Sequence, residues 1–267
     1  MRVIDSWVNV AMPSAPAAWQ RRAAEMFKRP AEDIFRKFSV AEMLAAMDAC
    51  GVEKAVITTQ PGALDRDIAA FIEQHPERFV LSVLLDPRTG MKAIRQIEAM
   101  VKAQPVKLAR VIPSMLDLPP NDRAYYPLYA KCVELGLPIS INTGIPGPPL
   151  PGRCQDPMFL DDVCLFFPDL VIVMANGADP WWDVAIRLMV KYKNLYMQTS
   201  GCAPKYLPPS LLEFMKKRGK DKVMFATDFP FLTMERCIEE AKGLGLPDDV
   251  LDGYLYANAA RVFTMTS

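Results

Sequence analysis

The residue in this sequence best placed to do chemistry is Asp228. It follows an apolar run, residues 222–227, that is typical of a short β-strand, and Phe229 and Pro230 come directly after it. Asp is a poor strand residue and Pro stops further pairing, so the sequence predicts that Asp228 lies where a buried strand opens into a loop. In barrels and open α/β sheets, ligands bind at this end of the strands. The alternative is that Asp228 only caps the next helix or closes a turn.

Several other predicted strands end in polar or aromatic residues that could contact a ligand. In chain order these are Trp7 with Asn9, Arg110, Asn142 with Thr143, Asn176 with Asp179, Thr199 with Ser200, and Asp228. In a barrel, the carboxyl ends of the strands converge on one pocket. Singly, each residue has an ordinary explanation, because Asn favours turns and Ser or Thr can cap a helix. Three Asn residues and one Asp on four strands, in a chain with one histidine, together favour a shared polar site.

The composition limits the kinds of partner. Of the 267 residues, 51% are hydrophobic, which suits a sizeable core, and 31 Lys and Arg residues balance 31 Asp and Glu residues. Because no long charged block and no apolar run of about 18 residues occurs, we expect no nucleic-acid partner and no membrane partner. The six cysteines are scattered and the N-terminus lacks the apolar core of a signal peptide, so we expect reduced thiols and a cytoplasmic location.

Short apolar or β-branched runs alternate with amphipathic segments along the chain. The predicted strands are residues 2–7, 54–59, 79–84, 107–112, 138–142, 170–175, 194–199 and 222–227. Mostly apolar strands that alternate with helices indicate a parallel sheet covered by helices. Eight such units in about 250 residues predict an α/β fold, a (β/α)8 TIM barrel that forms one domain over residues 1–267. A doubly wound open sheet is the alternative.

Two segments interrupt this alternation. Residues 11–37 follow the first strand, mix proline with aromatic and aliphatic residues, and are long for a connection between a strand and a helix. We expect them to form small helices over the mouth of the barrel, with a surface excursion as the alternative. Residues 143–155 are rich in proline and glycine, which favours a rigid loop at the same mouth.

Short motifs along nearly the whole chain resemble those of one family. They include Gly51-Val52-Glu53-Lys54-Ala55-Val56, His75-Pro76-Glu77-Arg78-Phe79, Leu135-Gly136-Leu137-Pro138-Ile139, Thr227-Asp228-Phe229-Pro230 and Asn258-Ala259-Ala260-Arg261-Val262-Phe263. In order and spacing they resemble amidohydrolase-related proteins of the aminocarboxymuconate-semialdehyde decarboxylase branch. The resemblance implies a distorted (β/α)8 barrel, a divalent metal that is commonly zinc, and decarboxylation, hydration or hydrolysis.

The metal-binding histidines of that family are missing. Its first strand normally ends Asp-x-His-x-His, its fifth Ile-His-Thr-Gly and its sixth Ala-His-Gly-Gly. Here the corresponding residues are Asp5-Ser6-Trp7-Val8-Asn9, Ile141-Asn142-Thr143-Gly144 and Ala175-Asn176-Gly177-Ala178, while the carboxylate of Asp228 is kept. An amide oxygen is a poor zinc ligand. His75 matches a surface turn at the opposite end of the barrel, so the sequence predicts a site without metal or other cofactor.

Two functions remain open at this level. In the first, the protein is a metal-independent enzyme that acts on a small acid or lactone by hydrolysis or C–C lyase chemistry. Asp228 is then the general base or nucleophile, with a pKa raised by burial and opposed by Arg110. The other predicted roles are carboxylate binding or enolate stabilisation by Arg110, binding of substrate oxygens by Asn9, Asn142 and Asn176, and an apolar wall from Trp7 and Trp181. In the second, an inert relative binds a small ligand or regulates an active paralogue through a dimer interface; a homodimer is left open.

Overall fold

Eight parallel strands form one sheet whose order follows the sequence. The computed structural model describes residues 1–12, 15–60, 62 and 64–265. The strands are β1 Val3–Val8, β2 Val52–Thr59, β3 Phe79–Leu84, β4 Val106–Val111, β5 Ile139–Asn142, β6 Ile172–Ala175, β7 Leu195–Gln198 and β8 Val223–Met224. Their apolar and β-branched residues favour extended backbone and bury both faces of the sheet.

Backbone hydrogen bonds between the last and first strands close the sheet into a barrel. The amide of Ser6 donates to the carbonyl of Phe225 at 3.3 Å, and the amide of Asp228 donates to the carbonyl of Trp7 at 3.1 Å. Val8 and Phe229 form a further parallel bridge. The predicted TIM barrel is therefore confirmed, and Asp228 lies at the seam where it closes.

Helices cover the outside of the barrel. They are α1 Ala17–Phe27, α2 Ala31–Ile34, α3 Val40–Cys50, α4 Arg66–Gln74, α5 Met91–Ala103, α6 Pro113–Leu116, α7 Tyr126–Glu134, α8 Phe159–Phe166, α9 Trp182–Lys191, α10 Pro209–Met215, α11 Met234–Lys242, α12 Asp248–Asp252 and α13 Asn258–Val262. Local sequence explains their ends: Ser39 and Glu42 form a capping box before α3, and Gly51 ends that helix with a φ of 76°. No helix in the described ranges is long and apolar enough to cross a membrane.

Polar residues fill the middle layer of the barrel interior. The amino end is closed by an apolar layer that includes Ile4, Val80 and Leu108. Above it, the fully buried Ser6, Ser82, Arg110, Ser140 and Gln198 point inward. The amide of Gln198 donates to the hydroxyl of Ser6 at 2.7 Å, so part of this layer satisfies its own polar groups. The site described below lies directly above it.

The eighth strand is much shorter than predicted. The sequence predicts strand over residues 222–227, whereas only Val223 and Met224 pair with β7. Beyond them, the amide of Phe225 donates to the carbonyl of Tyr254 and the amide of Thr227 donates to the carboxylate of Asp5. Because these donors bind partners outside β7, the ladder ends early although the chain stays extended.

The insertion after β1 covers the carboxyl end of the barrel. A bridge between Ala11 and Lys37 joins its two ends, while residues 13 and 14 of the predicted 11–37 segment lie outside the described residues. Trp19, Phe27 and Phe35 pack their rings against Phe231, which follows β8. Arg29 also donates to the carbonyl of Pro230. The insertion is thus held against the loop that carries Asp228.

Candidate active site

A cavity of about 790 Å³ opens at the carboxyl ends of the strands. Helix α1 and the loop from Ile145 to Leu150 form part of its wall. Five of the seven site residues predicted from the sequence line it, namely Trp7, Asn9, Asn142, Asn176 and Asp228. Arg110 and Trp181 are not among the lining residues. Aromatic and methionine side chains form part of the wall and polar and charged side chains the rest, a combination that suits a small-molecule site.

Asp228 presents one oxygen to a fixed partner. Its Oδ1 accepts a hydrogen bond of 2.8 Å from Nδ2 of Asn9, and its backbone has a φ of 59°, in the left-handed region. Burial raises the pKa of Asp228 to about 7, while the hydrogen bond from Asn9 and the positive charge of Arg110 lower it, and Asp5 raises it. The sequence predicts both the direction and the opposing effect of Arg110. Near neutral pH this carboxyl group can therefore accept or donate a proton.

Asn9 holds Asp228 rather than offering its amide hydrogens to a substrate. Its Nδ2 donates to Asp228 and to the carbonyl of Phe229 at 2.9 Å, so both hydrogens are engaged. Its Oδ1 accepts a hydrogen bond of 3.1 Å from the indole nitrogen of Trp7. This arrangement differs from the substrate-binding role predicted for Asn9, because a side chain saturated by protein partners has no donor left.

Arg110 lies beneath the indole of Trp7. Its guanidinium carbon is 3.4 Å from the ring centroid, and its Nε donates to the hydroxyl of Ser82 at 2.9 Å. Within the described ranges, neither terminal nitrogen has a hydrogen-bond partner. Burial lowers the pKa of Arg110 to about 9, and the charge of Asp228 opposes this. Arg110 is not among the residues that line the cavity, so its influence on Asp228 is electrostatic rather than by contact.

Asn176 faces the same space as Asp228. It has a φ of 66°, and its Oδ1 accepts a hydrogen bond of 2.8 Å from the hydroxyl of Ser200, which fixes the orientation of the amide. A Cβ placed on Gly201 would lie 3.6 Å from Oδ1 of Asn176 and 3.7 Å from Oδ2 of Asp228. Both side chains therefore border the space beside Gly201. The amide hydrogens of Asn176 are suited to bind an oxygen close to the carboxyl group.

Of the two consecutive tryptophans, Trp182 lines the cavity and the predicted Trp181 does not. Trp181 precedes α9, whereas Trp182 is its first residue and donates from its indole nitrogen to Asp179 at 3.2 Å. A Cβ on Gly177 would come within 2.1 Å of the Trp182 ring, so glycine is what lets the ring lie there. The consecutive tryptophans cannot be told apart by residue type, and the exact start of α9 decides which one faces the cavity.

Sequence reasoning did not assign roles to several residues that shape the site. Ser200 lies at the end of a predicted strand, but the sequence does not reveal its hydrogen bond to Asn176. Gln155 is buried and bridges two loops, donating to the carbonyl of Gly144 at 2.7 Å and accepting from the amide of Ser114 at 3.2 Å. Only its place in the loop of residues 143–155 pointed toward the site. No sequence pattern marks Gly201 as part of the site, because its place there depends on which residues surround it in space.

The residues present do not fit the divalent metal that the resemblance implies. Asn9 and Asp228 are hydrogen-bonded to each other, and Trp7, which stands where the resemblance implies a ligand histidine, donates its indole N–H to Asn9. Over the part of the chain that the structure describes, no three His, Cys, Asp or Glu side chains come together to hold a metal ion. The only histidine, His75, lies in the turn before β3, near Glu77.

Purified protein is therefore expected to contain much less than one zinc, manganese or iron ion per chain. Of the ligand set that the resemblance implies, the sequence keeps only Asp228. Loss of direct metal ligands weakens binding more than the roughly 10- to 100-fold loss caused by changing the residues that support the ligands. Elemental analysis of protein prepared without chelator measures this. A stoichiometric metal whose removal abolishes activity would contradict the prediction.

The sequence and the fold have relatives among known proteins. No curated protein matches this sequence. Among solved structures, an uncharacterised TIM-barrel protein from Bordetella bronchiseptica is 23% identical, with a TM-score of 0.82 and 99% of both chains covered. The 5-carboxyvanillate decarboxylase LigW of Sphingomonas paucimobilis is 18% identical, with a TM-score of 0.72 and 99% of both chains covered. A 5-carboxyvanillate decarboxylase of Novosphingobium aromaticivorans with bound manganese is 16% identical, with a TM-score of 0.72, covering 98% of this chain and 97% of that one.

At these identities the solved structures establish a shared fold. The family follows from the sequence itself. A family model described as Amidohydrolase matches residues 4–265, which is nearly the whole chain. The resemblance recognised from the motifs is confirmed, and the chain belongs to the amidohydrolase family.

Proposed function

We propose that this protein is a metal-independent enzyme that hydrolyses a small lactone or ester, with Asp228 as the general base. The observation that carries this proposal is that Asp228 and Asn176 both border the space beside Gly201 at the cavity wall. One side chain can take a proton from water, and the other can donate hydrogen bonds to a carbonyl oxygen. Acyl transfer requires both groups.

The reaction needs no group beyond these side chains and water. Oδ2 of Asp228 accepts a proton from water as the water oxygen bonds to the carbonyl carbon. The negative charge that develops on the carbonyl oxygen is stabilised by the Nδ2 hydrogens of Asn176. When the C–O bond breaks, Asp228 returns the proton to the leaving oxygen, so one water is added overall. Asn9 keeps the carboxyl group in place through its other oxygen.

Decarboxylation of a small aromatic acid is the second candidate. Because the pKa of Asp228 is about 7, the group is partly protonated at neutral pH and can donate a proton to carbon as carbon dioxide leaves. Two of the similar solved structures are decarboxylases, which supports this candidate at the level of fold. The third candidate is a catalytically inert protein that binds a small ligand.

The pH dependence of the rate separates these functions. A panel of lactones, esters and aromatic acids identifies a substrate, and kcat/KM is then measured from pH 5 to pH 9. A general base requires the ionised carboxyl group, so the rate rises through about pH 7; a proton donor gives a rate that falls through the same range. If the protein binds one of these compounds but turns over none of them, the result favours an inert, ligand-binding protein.

Replacing Arg110 with glutamine is expected to shift this profile to higher pH. The charge of Arg110 lowers the pKa of Asp228, so its removal raises that pKa above about 7 and moves the midpoint upward. Arg110→Lys, which keeps a positive charge, should retain a midpoint near that of the unmodified enzyme. Arg187→Gln removes an exposed charge on α9 and serves as the control. An unshifted midpoint in Arg110→Gln would rule out the electrostatic role.

A further inference from the structure

Three buried side chains on one side of the cavity lack hydrogen-bond partners. Thr58, Ser114 and Asn142 are 5%, 3% and 5% exposed, and all three line the cavity. Within the described residues, Oγ1 of Thr58, Oγ of Ser114 and Oδ1 of Asn142 make no hydrogen bond. Buried polar atoms are nearly always satisfied, so three such atoms on one wall require an explanation.

Two neighbouring polar side chains of the same cavity, Gln155 and Thr143, are satisfied. The side chain of Gln155 binds Gly144 and Ser114 through backbone atoms, and the hydroxyl of Thr143 donates to the carbonyl of Gly177. The unsatisfied atoms are therefore confined to a limited part of the wall. A protein keeps such groups unpaired where a ligand supplies the missing partner.

Ser114 and Asn142 lie across the barrel mouth from Asp228, whereas Thr58 lies about a quarter of the way around the barrel from it. Thr58 is on β2, Ser114 follows β4 in α6, and Asn142 ends β5, whereas Asp228 follows β8. The strands run around the barrel in sequence order, so β4 lies opposite β8. A ligand that spans the cavity can reach the carboxyl group with one end and the part of the wall from β2 to β5, which carries the three unsatisfied groups, with the rest.

We propose that Thr58, Ser114 and Asn142 form a second, uncharged polar subsite that binds a hydroxyl group at the substrate end remote from Asp228. The proposal rests on the proposed function and narrows its substrate to a hydroxylated lactone or ester. All three groups are neutral, and a hydroxyl group both donates and accepts hydrogen bonds, as these side chains do. The cations that line the cavity lie elsewhere, in α1 or just after it and in the segments after β7 and β8: Arg22, Lys28, Lys205 and Arg236. A carboxylate is therefore not the group expected at this subsite.

Binding of resorcinol tests the subsite without any reaction. Calorimetry or ligand-detected NMR measures its affinity, with 1,3-dimethoxybenzene as the probe that keeps the ring but lacks hydroxyl donors. The double variant Thr58→Val/Ser114→Ala removes two hydroxyls with little change in shape. We expect resorcinol binding to weaken by about tenfold, the sum of two neutral hydrogen bonds, and binding of 1,3-dimethoxybenzene to stay unchanged.

Thr59→Val is the matched control. Thr59 is also buried with an unpartnered hydroxyl and lies on the same strand, but it does not line the cavity. It should bind both probes as the unmodified protein does. The melting temperature of the double variant should be equal or higher, because its hydroxyls have no protein partner to lose.

Four results would overturn the subsite. The first is that the unmodified protein shows no detectable binding of resorcinol, and the second is that the double variant binds resorcinol as tightly as the unmodified protein. The third is that the double variant binds resorcinol and 1,3-dimethoxybenzene equally more weakly, and the fourth is that it melts at a lower temperature than the unmodified protein. Resorcinol contains no bond that the enzyme hydrolyses. Its binding therefore reports on the subsite alone, and failure of the proposed reaction appears separately in the turnover of Asp228 variants.

Discussion

Asp228→Asn is expected to lower turnover by about 10²- to 10⁴-fold, the usual contribution of a general base, while the fold is retained. Asparagine is nearly isosteric with aspartate and is among the residues that tolerate the positive φ at this position. Its amide oxygen can still accept the hydrogen bond from Asn9. The variant loses only the ability to exchange a proton. Steady-state kinetics with a substrate from the lactone and acid panel measures the effect.

The same variant discriminates among the remaining roles of Asp228. A nucleophilic carboxylate predicts a larger loss of turnover and a covalent acyl-enzyme detectable by mass spectrometry in the unmodified protein. An inert binder predicts altered affinity with no turnover to lose. A simple cap predicts about 1 kcal/mol less stability and little else. Asp169→Asn, at an exposed position, controls for the change in net charge, and an unchanged rate in Asp228→Asn would remove this residue from the mechanism.

The free energy of unfolding is expected to fall as the pH rises from 5 to 8.5. Burial raises the pKa of Asp5 to about 7, against hydrogen bonds from Thr227 and Trp7 that lower it, and Asp228 is raised to a similar value. An unfolded carboxyl group titrates near 3.9. Between these values the folded state holds protons that the unfolded state has released, so stability is greatest at the lower pH and is lost as the pH passes through about 7.

The size of this effect and its controls are accessible by urea unfolding. A shift from about 3.9 to about 7 corresponds to roughly 4 kcal/mol for one carboxyl group as an upper limit, of which roughly 2.7 kcal/mol is lost above pH 5. Asp5→Asn should reduce the slope between pH 5 and pH 8.5, and Asp5→Asn/Asp228→Asn should reduce it further. Asp169→Asn should keep the full slope. Glu42, Asp86 and Asp161, whose pKa values are lowered by hydrogen bonds, act at more acidic pH. Stability that rises with pH over this window would contradict the prediction.

The barrel could be predicted from the sequence because its signals are local. Apolar runs such as residues 54–59 and 79–84 lie within the observed strands β2 and β3, and glycines at helix ends mark the connections. The short β8 could not be predicted, because it ends where Asp5 and Tyr254, distant in sequence, take its backbone donors. The periodicity of apolar residues indicates which side chains are buried, but not which groups form hydrogen bonds with the backbone.

The candidate site was predictable by residue type and only partly by role. Polar residues at strand ends must meet at the mouth of a barrel, which brings Asp228 and Asn176 together. The partners to which an amide donates depend on its neighbours in space. The sequence therefore could not show that both amide hydrogens of Asn9 are donated to Asp228 and to the carbonyl of Phe229. Nor could it show that the indole of Trp7 covers Arg110.

The left-handed backbone at Asn176 bears on how this chain diverged from its metal-binding relatives. With a φ of 66°, this position favours histidine, asparagine, aspartate or glycine over other residues. A lineage that loses a histidine here has few replacements that keep the turn after β6, and asparagine is one of them whatever the protein's chemistry. Asn9 and Asn142 do not have positive φ values. Their backbones would accept many residue types, so backbone conformation does not explain the amides at these two positions.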